Sequence, residues 1–232
     1  MLATAIRTEA APDRSFAASV FTTCPAGNGD LAALDRIGTL VSLRRDQALF
    51  GDGDPAQYFY KVLTGAVRSC RLLADGRRHI AEFLLPGDFV GIEAAGAHRS
   101  TVEAVSDTTL MRYSRSALDR LVQQQPRLGK SLLGLICGEL YAAQAQLLLL
   151  GRKNAVERLA SFLLAMAERS GEADRVSLPM TRCDIADHLG LTTETVSRIF
   201  SQLKSQGVIR LVAGSEVELK DRDELEALAE AA

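Results

Sequence analysis

The sequence predicts an α+β chain built from an N-terminal β jelly-roll barrel, a long dimerisation helix and a C-terminal winged helix-turn-helix. Three observations carry this reading. Between residues 41 and 114, short apolar runs are punctuated by seven glycines. Further on, Leu133, Ile136, Leu140, Ala143, Leu147 and Leu150 recur at spacings of 3-4-3-4-3. Finally, residues 181–219 read as two capped helices followed by a hairpin. The expected division is an arm over 1–30, the barrel over 31–118, the dimerisation helix over 119–153 and the winged domain over 154–232.

Residues 1–30 are alanine-rich and weakly patterned, with a partly helical stretch expected near Arg14–Phe21. Leu31, Leu34 and Ile37 share one face of a short helix expected over Leu31–Leu40. The strands are expected at Tyr58–Leu63, Ala66–Leu73, His79–Leu85, Thr101–Val105 and Thr109–Tyr113. Asp75-Gly76 stands between two of these runs, a strong hairpin signal. Short strands at such even spacing suggest an all-β barrel.

Ser116 is expected to cap a short helix to Gln124, and Pro126 to open a long one. The 3-4 spacing from Leu133 to Leu150 is a heptad seam, which favours a parallel pair of helices in a homodimer. Leu132, Leu135 and Tyr141 form a second face that suits packing on the chain's own barrel; the two readings are compatible. Gly129-Lys130-Ser131 and Gly51-x-Gly53-x-x-Ala56 resemble nucleotide-binding signatures, yet each lacks its required structural context. No nucleophile and base stand in a catalytic arrangement, so no enzyme is expected.

Ala155, Leu159, Phe162, Leu163 and Met166 then mark an amphipathic helix, and Val176–Leu178 a short strand that joins the wing. Thr181 is a good N-cap, with Asp184 three residues later as a variant capping box. Gly190 ends this helix in the left-handed region. Thr192 caps the next, whose apolar residues Val196, Ile199, Phe200 and Leu203 share a face. The opposite face carries Thr193, Glu194, Ser197 and Arg198. Such a helix can enter a major groove N-terminus first. Arg198 can give two N–H bonds to guanine, Glu194 can accept from cytosine, and Ser197 can bond a base or a phosphate. The plainer alternative is a helical hairpin packed on something else, with Glu194 and Arg198 as a surface pair. The sequel opposes it: Val208–Val212 and Glu216–Leu219 flank a short turn and make a wing.

The run Glu194-Thr-Val-Ser-Arg198 inside this motif resembles the Crp/Fnr family of bacterial transcription regulators, and its Glu-x-x-Ser-Arg form the Fnr and FixK branches. Pro86-Gly-Asp-Phe-Val-Gly91 and Arg99-Ser100 resemble the family's cyclic-nucleotide-binding-like barrel. The resemblance implies double-stranded DNA as partner, a TTGA-type palindrome, and contact with RNA polymerase. It also implies DNA backbone contacts at Thr181 and Arg182, with Thr192, Thr193 and Thr195 joining them.

In the family pocket an Arg-Ser pair holds phosphate, and a glutamate directly after the Phe-x-Gly glycine holds ribose. Arg99 and Ser100 match, but Ile92 occupies the glutamate position and Glu93 comes one residue later. A one-residue slip in a strand points the side chain to the other face. No small-molecule effector is therefore expected; the rival is a regulator whose DNA binding requires a cyclic nucleotide. An iron–sulfur cube needs four ligands, usually thiolates. The cysteines Cys24, Cys70, Cys137 and Cys183 are scattered, with one near the N-terminus. No metal or other cofactor is expected, and His79 and His98 read as surface histidines. Lack of both effector sites favours the FixK branch.

Net charge is −2, a mild objection to nucleic-acid binding. Its distribution softens the objection. Seven acids against two cations lie between Glu216 and Glu230, whereas Thr181–Arg210 holds four cations against three acids. Met1–Phe16 lacks the apolar core of a signal peptide, and no stretch is expected to reach the length of a membrane span, so cytoplasm is expected. Cys183, beside Arg182 in the first turn of a helix, sits where thiolate is favoured. Oxidation there would set negative charge against phosphate. The alternative is an inert small residue.

Overall fold

The computed structural model describes residues 31–93, 96–172, 174–212 and 215–230. The arm over 1–30, with Cys24, and the wing residues Ala213 and Gly214 lie outside the described residues. The barrel is built from two four-stranded antiparallel sheets. One has the order β1-β8-β3-β6, from Gly38–Leu43, Thr108–Ser114, Tyr58–Thr64 and Phe89–Val90. The other has the order β2-β7-β4-β5, from Ala48–Phe50, Thr101–Ala104, Val67–Leu72 and Arg78–Leu84. Their inner faces meet in a core that includes Leu43, Val62, Val67, Leu84, Val102 and Leu110. The five strands expected from the sequence are present within one or two residues. Between β3 and β4 the chain turns at Gly65, φ +79°, where a Cβ would come within 2.4 Å of the Asp107 carbonyl oxygen. No other residue type fits that turn.

Three strands were not expected: β1, β2 and β6. The helix expected over Leu31–Leu40 is a 3-10 helix, Ala32–Ile37, and the chain then extends into β1. Leu31 and Leu34 are buried as the face pattern requires. Leu40, three residues beyond Ile37, is instead 64% exposed. Pairing of Gly38–Leu43 with Tyr113–Thr108 gives one side of the strand a ladder six residues long, and Thr39 and Val41 suit it. This non-local ladder wins over the local helical spacing.

Helix α1, Arg115–Gln124, starts one residue before Ser116, with Ser114 at the N-cap. Helix α2, Pro126–Arg152, opens on its proline as expected. It is 27 residues long and, by length and composition alone, apolar enough to cross a membrane, contrary to the expectation that no stretch would be. The surplus has a geometric cause: the helix is apolar on two faces. Leu128, Leu132 and Leu135 pack on the barrel with α1. Leu133, Ile136, Leu140, Ala143 and Leu147 are exposed along the other side. Tyr141 is exposed too and does not join the barrel-facing row. Leu150 is half-buried against the C-terminal domain.

That domain comprises α3 (Ala155–Ser170), β9 (Arg175–Ser177), α4 (Arg182–Leu189), α5 (Thr193–Ser205), β10 (Ile209–Leu211), β11 (Glu216–Leu219) and α6 (Arg222–Glu230). A full capping box, Asn154 with Glu157, starts α3. The acidic C-terminal stretch is no loose tail: α6 buries Leu225 and Ala229. The domain's apolar core continues into the barrel through Ala66, Cys70, Ile80, Phe83 and Val105.

His188 of α4 lies in that junction, 2% exposed, with Nδ1 3.0 Å from the Ile80 carbonyl oxygen. A carbonyl only accepts, so Nδ1 carries the proton. Burial pushes the imidazole down to about 4, more than the Ile80 hydrogen bond raises it. Below pH 6.5 the unfolded chain takes a proton that the folded chain refuses. Stability should therefore fall as pH drops from about 6.5 to 4, by roughly 3 kcal/mol for this group. Carboxyls with raised pKa values, Glu82 and Glu139, titrate in the same window with the opposite sign, so the measurement is a comparison: between pH 6.5 and 4 the urea midpoint of wild type should fall relative to that of His188→Gln.

Candidate nucleic-acid interface

The reading motif follows from local chemistry. Thr181 Oγ1 accepts from the Asp184 backbone N–H at 3.1 Å, and Asp184 Oδ2 accepts in return from the Thr181 N–H at 3.0 Å and hydroxyl at 2.7 Å. Two donors at the α4 N-terminus are thereby satisfied. Gly190 takes φ +63° and ends the helix. Thr192 then caps α5, its Oγ1 accepting from the Thr195 N–H at 3.2 Å. Val196, Ile199, Phe200 and Leu203 are all buried, which turns the opposite face outward.

On that outward face Thr193, Glu194 and Arg198 are exposed and Ser197 is half-buried. Hydrogen bonds from its own backbone N–H and from the Thr192 side chain hold the Glu194 carboxyl below the usual carboxylate range, with Arg198 adding to the effect. It is thus an ionised acceptor at neutral pH. At the foot of α4, Thr181 and Cys183 are exposed. The Arg182 guanidinium sits 3.9 Å from the centroid of the Phe200 ring. A contact with the ring face leaves the N–H edge of the fork to hydrogen bond. Thr192 is exposed and Thr195 half-buried.

Electrostatics sharpen the site. Arg210 pairs with Glu218 across the wing, while Asp184 and Asp187 are taken by Arg68 and Arg78 of the barrel. The described ion pairs thus leave Arg182, Arg198 and Lys204 against a single acid, Glu194, so the face is more positive than the sequence count suggested. Among the described residues, no group of three His, Cys, Asp or Glu could hold a metal ion.

The wing forms as expected, with β10 and β11 in register Ile209↔Leu219 and β9 on the far side of β11. Residues 157–228 match Crp-like helix-turn-helix domains, and residues 40–125 match cyclic nucleotide-binding domains. The nitrogen fixation regulation protein FixK of Azorhizobium caulinodans is 46% identical over 197 residues, 83% of this chain and 79% of that protein. The chain belongs to the Crp/Fnr family. The transcriptional activator protein FnrL of Cereibacter sphaeroides is 37% identical over 190 residues, 78% of this chain and 77% of that protein. The solved structure of FixK2 from Bradyrhizobium japonicum superposes with a TM-score of 0.81 at 44% identity, covering 84% of this chain and 99% of that one. As a Crp/Fnr member with FixK proteins among its relatives, the chain is a DNA-binding transcription regulator and not an enzyme.

Of the barrel residues that resemble the family pocket, Ser100, Ile92 and Glu93 make local contacts, while the Arg99 side chain is exposed. Ser100 Oγ is 3.0 Å from Ser69 Oγ. Ile92 packs in the apolar cluster beneath α1 and α2. Glu93 accepts the Arg99 backbone N–H at 3.3 Å, and Arg115 grips the carbonyls of Gly91 and Glu93. His98 is no surface histidine: it is 3% exposed and stacks 3.6 Å from Phe50.

Sequence reasoning missed one structural hub. Arg158 donates to three carbonyls, Lys153 at 2.9 Å, Leu150 at 2.8 Å and Leu189 at 2.9 Å. One guanidinium therefore closes the C-terminal ends of both α2 and α4. No sequence signal marks it, because the three carbonyls meet only in the folded chain.

Proposed function

We propose that the chain works as a cytoplasmic homodimer that binds a TTGA-type palindrome without a small-molecule effector and activates transcription through contact with RNA polymerase. The observation that carries this is the face of α5: Glu194, Ser197 and Arg198 stand outward over a fully buried apolar stripe. They are the base-reading groups, with Thr181, Arg182, Thr192, Thr193 and Thr195 on the backbone. The exposed leucines of α2 supply the dimer seam, which sets two half-sites about one helical turn, roughly 34–36 Å, apart. Ile92 in the apolar cluster and Ser100 bonded to Ser69 support effector-free binding. A band shift on a TTGA-N6-TCAA duplex should show tight binding with no added ligand and no gain from cAMP or cGMP. Binding that appears only with a cyclic nucleotide would restore the pocket and sink this reading.

Cys183 is the regulatory thiol of the same proposal. It is exposed in the first turn of α4, directly after Thr181 and Arg182. Peroxide oxidation to sulfinate or sulfonate adds a fixed negative charge against DNA phosphate. Wild-type binding should fall after peroxide, Cys183→Ala should bind normally and resist it, and Cys183→Asp should bind poorly without it. Cys137 is also exposed, on α2. Cys137→Ala should stay peroxide-sensitive; equal sensitivity of Cys183→Ala would instead exonerate Cys183.

A further inference from the structure

Asp184 faces two ways. Its Oδ2 closes the Thr181 cap, as described above. Its Oδ1 accepts from Arg68 Nη1 at 3.2 Å and Arg78 Nη2 at 2.6 Å, both from the barrel's second sheet. Asp184 is 2% exposed and Arg68 8%, so water scarcely screens the pair. Arg68 is itself fixed by Glu103 of β7, at 3.0 and 2.8 Å, and by Asp46 at 3.1 Å. Arg78 also reaches Asp187, one turn further along α4, at 2.8 Å. The barrel arginines thus end on the carboxylate that organises the turn presenting Thr181, Arg182 and Cys183.

We propose that Arg68 and Arg78 are positioning residues for DNA binding: through Asp184 the barrel sets the phosphate-gripping turn of α4. A buried carboxylate that loses its cations is costly, and relaxes by taking a proton or by swinging toward water. The swing draws Oδ2 off the Thr181 N–H and hydroxyl, and the proton weakens both bonds by removing the charge they point at, so the first turn with Arg182 loses its fixed place. Neither arginine lies in the DNA-facing set, so their effect on DNA travels through the cap. The inference rests on the α4 and α5 assignment made above.

The test is a double-mutant cycle on full-length protein with the TTGA palindrome, followed by fluorescence anisotropy over a salt series. Arg68→Gln should weaken binding about 10-fold in the native background and much less in an Asp184→Asn background. It should also make the slope of log affinity against log salt shallower, by about 1 per half-site, as the Arg182–phosphate contact is lost. A role confined to stability would lower the melting temperature and leave that slope unchanged. Should Arg68→Gln fail to fold, Arg78→Gln, whose side chain is 26% exposed, removes one of the two cations at less structural cost and should show the same slope change. Unchanged affinity, an unchanged slope, or effects that simply multiply with Asp184→Asn would overturn the proposal. Wild-type protein that fails to bind the palindrome would overturn the interface assignment itself, and this inference with it.

Discussion

Replacing Leu140 and Leu147 by glutamate is expected to produce a folded monomer that binds the palindrome about 10²- to 10⁴-fold more weakly than the dimer. Both side chains stand in water on the single chain, at 58% and 72% exposure, so neither substitution opens a cavity in its own fold. The apolar residues that hold α2 to the barrel, Leu128, Leu132 and Leu135, lie on another face and are untouched. The proposed seam is a row at heptad spacing, Leu133, Ile136, Leu140, Ala143 and Leu147 exposed and Leu150 half-buried at its end, and such a row is stable when a second copy covers it. Four glutamates brought together in the paired state would repel one another with little water to screen them. The loss in DNA binding follows from geometry. A dimer engages the second half-site as an intramolecular event, and a monomer must bind each half-site separately. Sedimentation equilibrium and a band shift on the same preparation measure both effects. A variant that stays dimeric, or a monomer with undiminished affinity, would contradict the seam.

Arg198→Ala should cost about 1–3 kcal/mol per half-site, hence roughly 2–6 kcal/mol over a palindrome, and most of that loss should be specificity. The side chain is exposed at mid-helix on the outward face of α5, above buried Ile199 and Phe200, so truncation leaves the fold intact. Its fork suits the two acceptors on the guanine edge; lysine offers a single point charge, so Arg198→Lys should recover little. Competition against random duplex gives the measurement. If Arg198 reads a base, binding to the palindrome collapses toward the level for random DNA. A uniform loss on every sequence would move Arg198 to the phosphate contacts.

How much of this was legible in the sequence depends on how far apart the partners lie. The Thr181 cap, its return bond from Asp184, the left-handed Gly190, the Thr192 cap and the apolar stripe of α5 all join residues within one or two helical turns. Local chemistry therefore determined them, and family membership, the strand-rich barrel and the seam spacing followed from patterns of the same short range. What only the tertiary structure decided joins residues far apart in the chain. Strand β1 exists because β8, some seventy residues later, completes its ladder. His98, expected at the surface, is buried because Phe50 arrives beside it. Arg68 and Asp184 are 116 residues apart, and nothing near either one marks the other as its partner. Short-range hydrogen bonds and periodicity are written residue by residue; ion pairs and ladders across the chain come into being only when burial brings their two halves together and removes the water that would otherwise satisfy them.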